Sequence, residues 1–216
     1  MEKRNYWRFL SPLFLLMGGL GILFLSACNS ASSTVEATDL AARTQADIDS
    51  EPVADLTLAD EFEAYETVMT VLTSPRCSNC HPTDHRPRQR DEQIEHLFNV
   101  QRGEDNHGGP VQTCATCHHE ENNPYSNVPG APHWGLAPHT MGWHGLSHAE
   151  IAQALIDPAM NGERSFEDLI HHMSEDALVL WAWDPGEGRT PPPVPHDQFV
   201  EALDIWLAAG APIPAE

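Results

Sequence analysis

The chain has 216 residues and a formal net charge of −21, enough for one domain with a modest core and too little for several. With 32 acidic against 11 basic residues, its surface repels nucleic acid and anionic lipid headgroups and attracts a basic protein partner at a salt-sensitive rate. Lys3 is the only lysine, so a docking face ringed by lysines is excluded.

Residues 1–28 read as an export signal. Lys3, Arg4 and Arg8 form a positive start, and Leu10 to Leu25 an apolar segment. That segment is short for a membrane span and is interrupted by Gly18, Gly19 and Gly21, which argues against an uncleaved anchor. Leu25-Ser26-Ala27-Cys28 resembles the lipobox of bacterial lipoproteins, in which the cysteine is acylated and becomes the first mature residue. The expectation is an exported, lipid-anchored protein on the periplasmic side. Asn29, where an inner-membrane lipoprotein carries aspartate, favours the outer membrane. Residues 29–58 are rich in Ser, Thr, Ala, Asp and Glu and lack aromatics, which predicts a flexible acidic tether. Residues 59–216 then form the functional domain.

The spacing of Phe62, Tyr65, Val68, Met69 and Leu72 predicts a helix from Asp60 to Leu72 with these residues in the core, stopped before Pro75. Next come Cys77-Ser-Asn-Cys80-His81 and, further on, Cys114-Ala-Thr-Cys117-His118. Both are C-x-x-C-H, the attachment signature of c-type haem. Two thiols at this spacing each bond one vinyl group, and the histidine that follows supplies a nitrogen to iron. The chain has 5 cysteines, so Cys28 and the two pairs account for all of them. A four-thiolate zinc ribbon or two thioredoxin-like disulfides would also use the pairs. Neither requires a histidine after each, and no βαβ pattern surrounds them.

Around the first motif, Arg76, Arg86, Arg88, Arg90 and Arg102 make a basic patch in an acidic protein. Some of them are expected to hold haem propionates; local neutralisation of acids or partner docking is the equal alternative. Residues 103–145, dominated by Gly, Pro, Asn and His, predict a long irregular segment wrapped over the haems. Helices resume with capping-box signals at Ser147/Glu150 and Ser165/Asp168. An apolar stretch follows over 175–183, then a Pro/Gly loop, and a last helix runs from Asp197 to Ala209 before Gly210 and Pro212. No strand alternation of useful length appears.

A haem iron takes a sixth ligand or keeps an open site. The candidates are His96, His107 in Asp-Asn-His-Gly-Gly, His133 in Ala-Pro-His-Trp, and Met141. His107 or His96 is expected on the first haem, and His133 or Met141 on the second. His171, His172 and His196 read as ordinary helix residues, and His119 only adjoins a proximal histidine.

The surroundings of both motifs resemble a family of small bacterial dihaem cytochromes labelled as an isoquinoline 1-oxidoreductase subunit. The likeness covers about residues 75–210. It rests on Pro75-Arg76-Cys77-x-Asn79-Cys80-His81-Pro82, on Asn99-Val100-x-Arg102-Gly103 with His107-Gly108, and on the second motif. It continues in Pro129-Gly-Ala-Pro-His133-Trp134-x-Leu136-Ala-Pro138 with Met141-x-Trp143, in Asn161-Gly162-x-Arg164, and in Trp181-x-Trp183 to Arg189. The resemblance implies association with a molybdenum hydroxylase that oxidises N-heterocycles or aldehydes. No flavin, molybdopterin or iron–sulfur motif is present in this chain.

The expectation is therefore a mainly α, cytochrome c-like helical domain with long irregular haem-wrapping loops and two covalent c-type haems. It is expected to carry electrons between a dehydrogenase and another redox carrier, through a partner with a basic docking face. A small dihaem peroxidase-like oxidoreductase and a haem-based gas sensor are the alternatives, and both need an open iron site.

Overall fold

A computed structural model describes residues 58–215. The expected signal segment, Cys28 and nearly all of the tether lie outside the described residues. The fold is mainly α-helical. Helix α1 is Leu58–Leu72, and a single turn, α2, is Pro75–Ser78. After a long connection come α3 (His148–Ile156), α4 (Pro158–Asn161), α5 (Phe166–Glu175), α6 (Ala177–Leu180) and α7 (His196–Ala208).

The two long helices, α1 and α7, pack against each other and set the core. Tyr65, Val68, Met69 and Leu72 from α1 are buried together with Phe199, Leu203, Trp206 and Leu207 from α7. Ile151, Leu155, Leu169 and Met173 complete the cluster. Each such side chain contributes roughly 1.5–3 kcal/mol when fully buried. Phe62, assigned by its spacing to the core stripe, is instead 38% exposed. It stands near the N-terminal end of α1.

Both expected capping boxes form. Ser147 Oγ accepts from the Glu150 amide and the Glu150 carboxylate accepts from the Ser147 amide. Ser165 and Asp168 repeat the arrangement. Each satisfies two amides that the first turn of a helix leaves unpaired.

The connection between α2 and α3 is irregular apart from two antiparallel ladders of two residues each. Strand β1 (Arg88–Gln89) pairs with β2 (Ile94–Glu95), and β3 (Gly108–Gly109) with β4 (Gln112–Thr113). Such short ladders cannot show the alternation by which strands are read. The connection is tied down by buried Arg102. Its guanidinium donates to the carbonyls of Pro82 (3.0 Å) and Ala137 and to Asn106 Oδ1 (2.9 Å). The backbone adds bonds from Ala137 to Cys80, from Leu136 to Asn106, and from both Trp143 and His144 to His81. The long loop is thereby laid over the first motif.

Candidate functional site

The first motif begins on α2, where Pro75 at the opening helical position has a preset φ and lacks an amide that would go unpaired. The turn continues with Cys80 N–H donating to Cys77 O (3.1 Å) and His81 N–H to Ser78 O (3.2 Å). The His81 ring lies flat on Trp143, with centroids 3.5 Å apart and planes at 10°. Its Nδ1 is 2.7 Å from the Met141 carbonyl. A carbonyl only accepts, so Nδ1 carries the proton and Nε2 keeps a free lone pair. Burial pushes the His81 pKa down to about 3, which holds the ring in that neutral, ligating form. Beside it is a cavity of about 230 Å³ lined by Cys77, Cys80, His81, His107, His133 and Met141.

The second motif reaches the same result from a different backbone. Cys114–Thr116 form a 3₁₀ turn, and His118 N–H donates to Cys114 O at 2.9 Å. His118 Nδ1 is 2.7 Å from the Pro129 carbonyl. Its ring is stacked on Trp134, with centroids 4.5 Å apart and planes at 5°. Burial again lowers the imidazole pKa. The cavity here is larger, about 560 Å³, and is lined by Cys114, Cys117, His118 and His96, with Cys80 at its edge.

The two cavities share a wall made of Arg76, Cys80, Gly135, Leu136 and Trp181. Trp134 meets Trp181 edge to face at 4.7 Å, and the Arg76 guanidinium lies 5.9 Å from the Trp181 ring centre. Arg76 is buried and pairs with Asp91 at 2.6 Å. Its Nε has no hydrogen-bond partner, so a buried donor in this wall is left for an acceptor. Arg88, Arg90 and Arg189 also line the larger cavity, and Arg164 the smaller. Arg102 lines neither cavity; both its terminal nitrogens donate to the loop it ties down, and its Nε, like that of Arg76, has no hydrogen-bond partner.

The four sequence candidates for a sixth ligand divide between the cavities. His96 stands beside the second motif, its ring centroid 6.1 Å from that of His118 with planes at 71°. Its Nδ1 is 2.8 Å from the Leu97 carbonyl. His107 lines the smaller cavity and places Nδ1 2.7 Å from the Asp105 carbonyl. A Cβ on Gly135 would lie 2.9 Å from His107 Nε2, so the ring sits where only glycine admits it. His133 lines the same cavity from a left-handed backbone, φ 57°. Met141 lines it with a buried side chain, and its carbonyl also orients His81. His119 is exposed and lines neither cavity.

Of the histidines read as ordinary, His171 is exposed beside Glu175, and His196 donates from Nε2 to the Met173 carbonyl (3.0 Å). His172 differs. It faces the smaller cavity from α5 and has its pKa lowered by burial. The signal was available, since His172 follows buried Leu169 by three positions and so shares its helix face.

All four motif thiols are free. Burial pushes Cys77 up to about 12 and Cys80 to about 11, and raises Cys114 as well. A disulfide-exchange C-x-x-C site works by the opposite shift. The arrangement instead presents, twice over, two thiols and one imidazole lone pair at a cavity. No protein-family model, curated protein or solved structure matches this chain.

Proposed function

We propose that this chain is a dihaem c-type cytochrome that carries single electrons between a dehydrogenase and another redox carrier. The observation that carries the reading is the repeated construction at His81 and His118. In each, a backbone carbonyl takes Nδ1–H, a tryptophan lies flat on the ring, and Nε2 is left free at a cavity lined by the motif's own two cysteines. Hydrogen-bonded orientation of this kind fixes the tautomer and raises ligand basicity in metal-binding histidines.

The donor set fits a covalent haem. Cys77 and Cys80, and Cys114 and Cys117, would form thioethers, with His81 and His118 as proximal ligands. The larger cavity lies within the range of about 300–1,000 Å³ usual for ligand sites. The smaller lies below it and adjoins the larger through the shared wall. The orphaned Arg76 Nε is a donor suited to a propionate. When bound, the haem iron supplies one-electron redox chemistry. The chain's own residues attach the group, orient the imidazoles and exclude water with Trp143 and Trp134. In this reading Cys28 tethers the domain to the membrane on the periplasmic side, the outer membrane being favoured. The acidic surface docks a basic partner. A molybdenum hydroxylase is the donor that the family resemblance implies.

The test is haem content and mass of the protein matured in a host that attaches c-type haem. Two haems per chain, surviving acid–acetone extraction, are expected. Cys77→Ser with Cys80→Ser should halve that content and leave the second motif loaded. Colourless protein with four titratable thiols would overturn the proposal.

A further inference from the structure

We infer that both haem sites are closed by a second histidine, with His107 opposite His81 and His96 opposite His118. This inference rests on the haem reading above and goes further, since it assigns the ligands and removes the open site that a peroxidase or gas sensor needs.

Two observations select these residues. The first is the orientation of the rings. Among the described residues, His81, His96, His107 and His118 are the histidines whose Nδ1 lies 2.7–2.8 Å from a backbone carbonyl. Each carbonyl fixes the proton on Nδ1 and leaves Nε2 as the sole lone pair. His171 and His172 place Nδ1 against carboxylates instead, and His196 uses Nε2. The four selected rings fall two to each cavity.

The second observation is the geometry of the His96–His118 pair. Two metal–imidazole bonds of about 2 Å, with about 1.1 Å from each nitrogen to its ring centre, put the centres about 6.2 Å apart across a metal. The observed separation is 6.1 Å. Edge contacts between packed rings in this chain run from 4.7 Å for Trp134 and Trp181 to 6.5 Å for Tyr65 and His148, so the distance fits a ligand pair and the Nδ1 orientation is what selects it. The 71° between the planes makes this a crossed pair. For His107 the independent sign is Gly135, whose missing Cβ admits the Nε2 edge of the ring to the wall of the smaller cavity.

This differs from the pairing read from the sequence, His107 or His96 on the first haem and His133 or Met141 on the second: it keeps His107 on the first and moves His96 to the second. His133 and Met141 are both at the smaller, first-motif cavity, and the Met141 carbonyl holds the proximal ring.

The test uses the haem-loaded full domain. Reduced wild-type protein should bind no carbon monoxide, and the oxidised protein should be wholly low-spin. One of its haems should show the strongly anisotropic electron paramagnetic signal of crossed imidazole planes. His96→Ala should keep two haems, abolish that signal, turn half the haem high-spin and take up one equivalent of carbon monoxide. His107→Ala should do the same for the other haem and leave the crossed signal. His96→Met should keep six-coordination while raising one potential, which separates ligand loss from misfolding. Two haems with unchanged spectra in His96→Ala, or an effect of His133→Ala equal to that expected of His107→Ala, would overturn the pairing and leave the dihaem reading standing. Protein without haem would overturn both.

Discussion

The Trp143 indole lies parallel to the His81 imidazole at 3.5 Å while its Nε1 donates to the Leu72 carbonyl at 3.1 Å. One side chain therefore joins the last turn of α1 to His81. It is 2% exposed, so its removal opens a core cavity as well as uncovering the ring. Trp143→Ala should cost about 3–5 kcal/mol of stability. Trp143→Phe keeps the stacked face and loses the hydrogen bond, leaving the Leu72 carbonyl short of a donor, for about 1–3 kcal/mol. Denaturant unfolding of both variants checks the order. Equal losses would show that the indole N–H is what matters and the ring is not.

Asp91 reaches across the chain to the loop before α7. It accepts from the Thr190 hydroxyl at 2.6 Å and the Thr190 amide at 3.1 Å, and pairs with Arg76. The Thr190 hydroxyl, first among several causes, holds its carboxyl below the usual carboxylate range; the Thr190 amide, Arg76 and Arg189 add to this. A depressed pKa gives stability that is present above the unfolded value of about 3.9 and is lost as pH falls through the lower folded value. Asp91→Asn should therefore weaken the protein at neutral pH and flatten its acid loss below about pH 4. The cost at pH 7 should be about 1–3 kcal/mol. That is less than the 3–5 of a fully buried broken pair, because solvent screens the Asp91 end. Unfolding curves at pH 7 and pH 3 measure it, and parallel losses in variant and wild type would refute the linkage.

The helices were legible because each carries its own signals. Ser147/Glu150 and Ser165/Asp168 mark starts, Gly210 marks a stop, and the α1 and α7 stripes repeat at helical spacing. His81 and His118, which face the cavities, were legible as a pair because each closes a five-residue C-x-x-C-H motif. The histidine proposed to face each was not. His96 is brought to the second motif by the β1–β2 reversal, with its amide on the Pro87 carbonyl. A two-residue ladder leaves no periodicity to read. Arg102 was one of five arginines grouped by charge alone, and nothing near it in sequence announces that its terminal nitrogens donate to carbonyls of residues 82 and 137. The role of Gly135 is a matter of what its neighbour across space needs, and nothing adjacent in sequence announces it.

Gly135→Ala tests that role directly. The added Cβ would stand 2.9 Å from both Nε2 and Cδ2 of His107, closer than a carbon can sit without displacing the ring. The fold should survive at a cost of about 1–3 kcal/mol. The haem of the smaller cavity should become partly high-spin and open to carbon monoxide, while the crossed His96–His118 signal stays. Spectra identical to wild type would mean that the His107 ring is not held in place at this wall.

The acidic surface makes a kinetic prediction that does not depend on ligand identity. With a formal charge of −21, association with a basic redox protein is steered, and association with an acidic one is opposed. Raising ionic strength from about 0.01 M to 0.15 M shortens the screening length from about 30 Å to about 8 Å. Reduction of the haem-loaded domain by a basic donor should slow by about tenfold or more over that interval. Reduction by an acidic donor should quicken, because the same screening relieves repulsion. Stopped-flow traces with the two donors at matched driving force separate charge from potential. Arg88 and Arg90, which line the larger cavity, supply the counter-case. If the approach to the haems runs over these residues and not over the acidic remainder, the signs reverse, the acidic donor is the favoured one, and the partner's docking face is acidic.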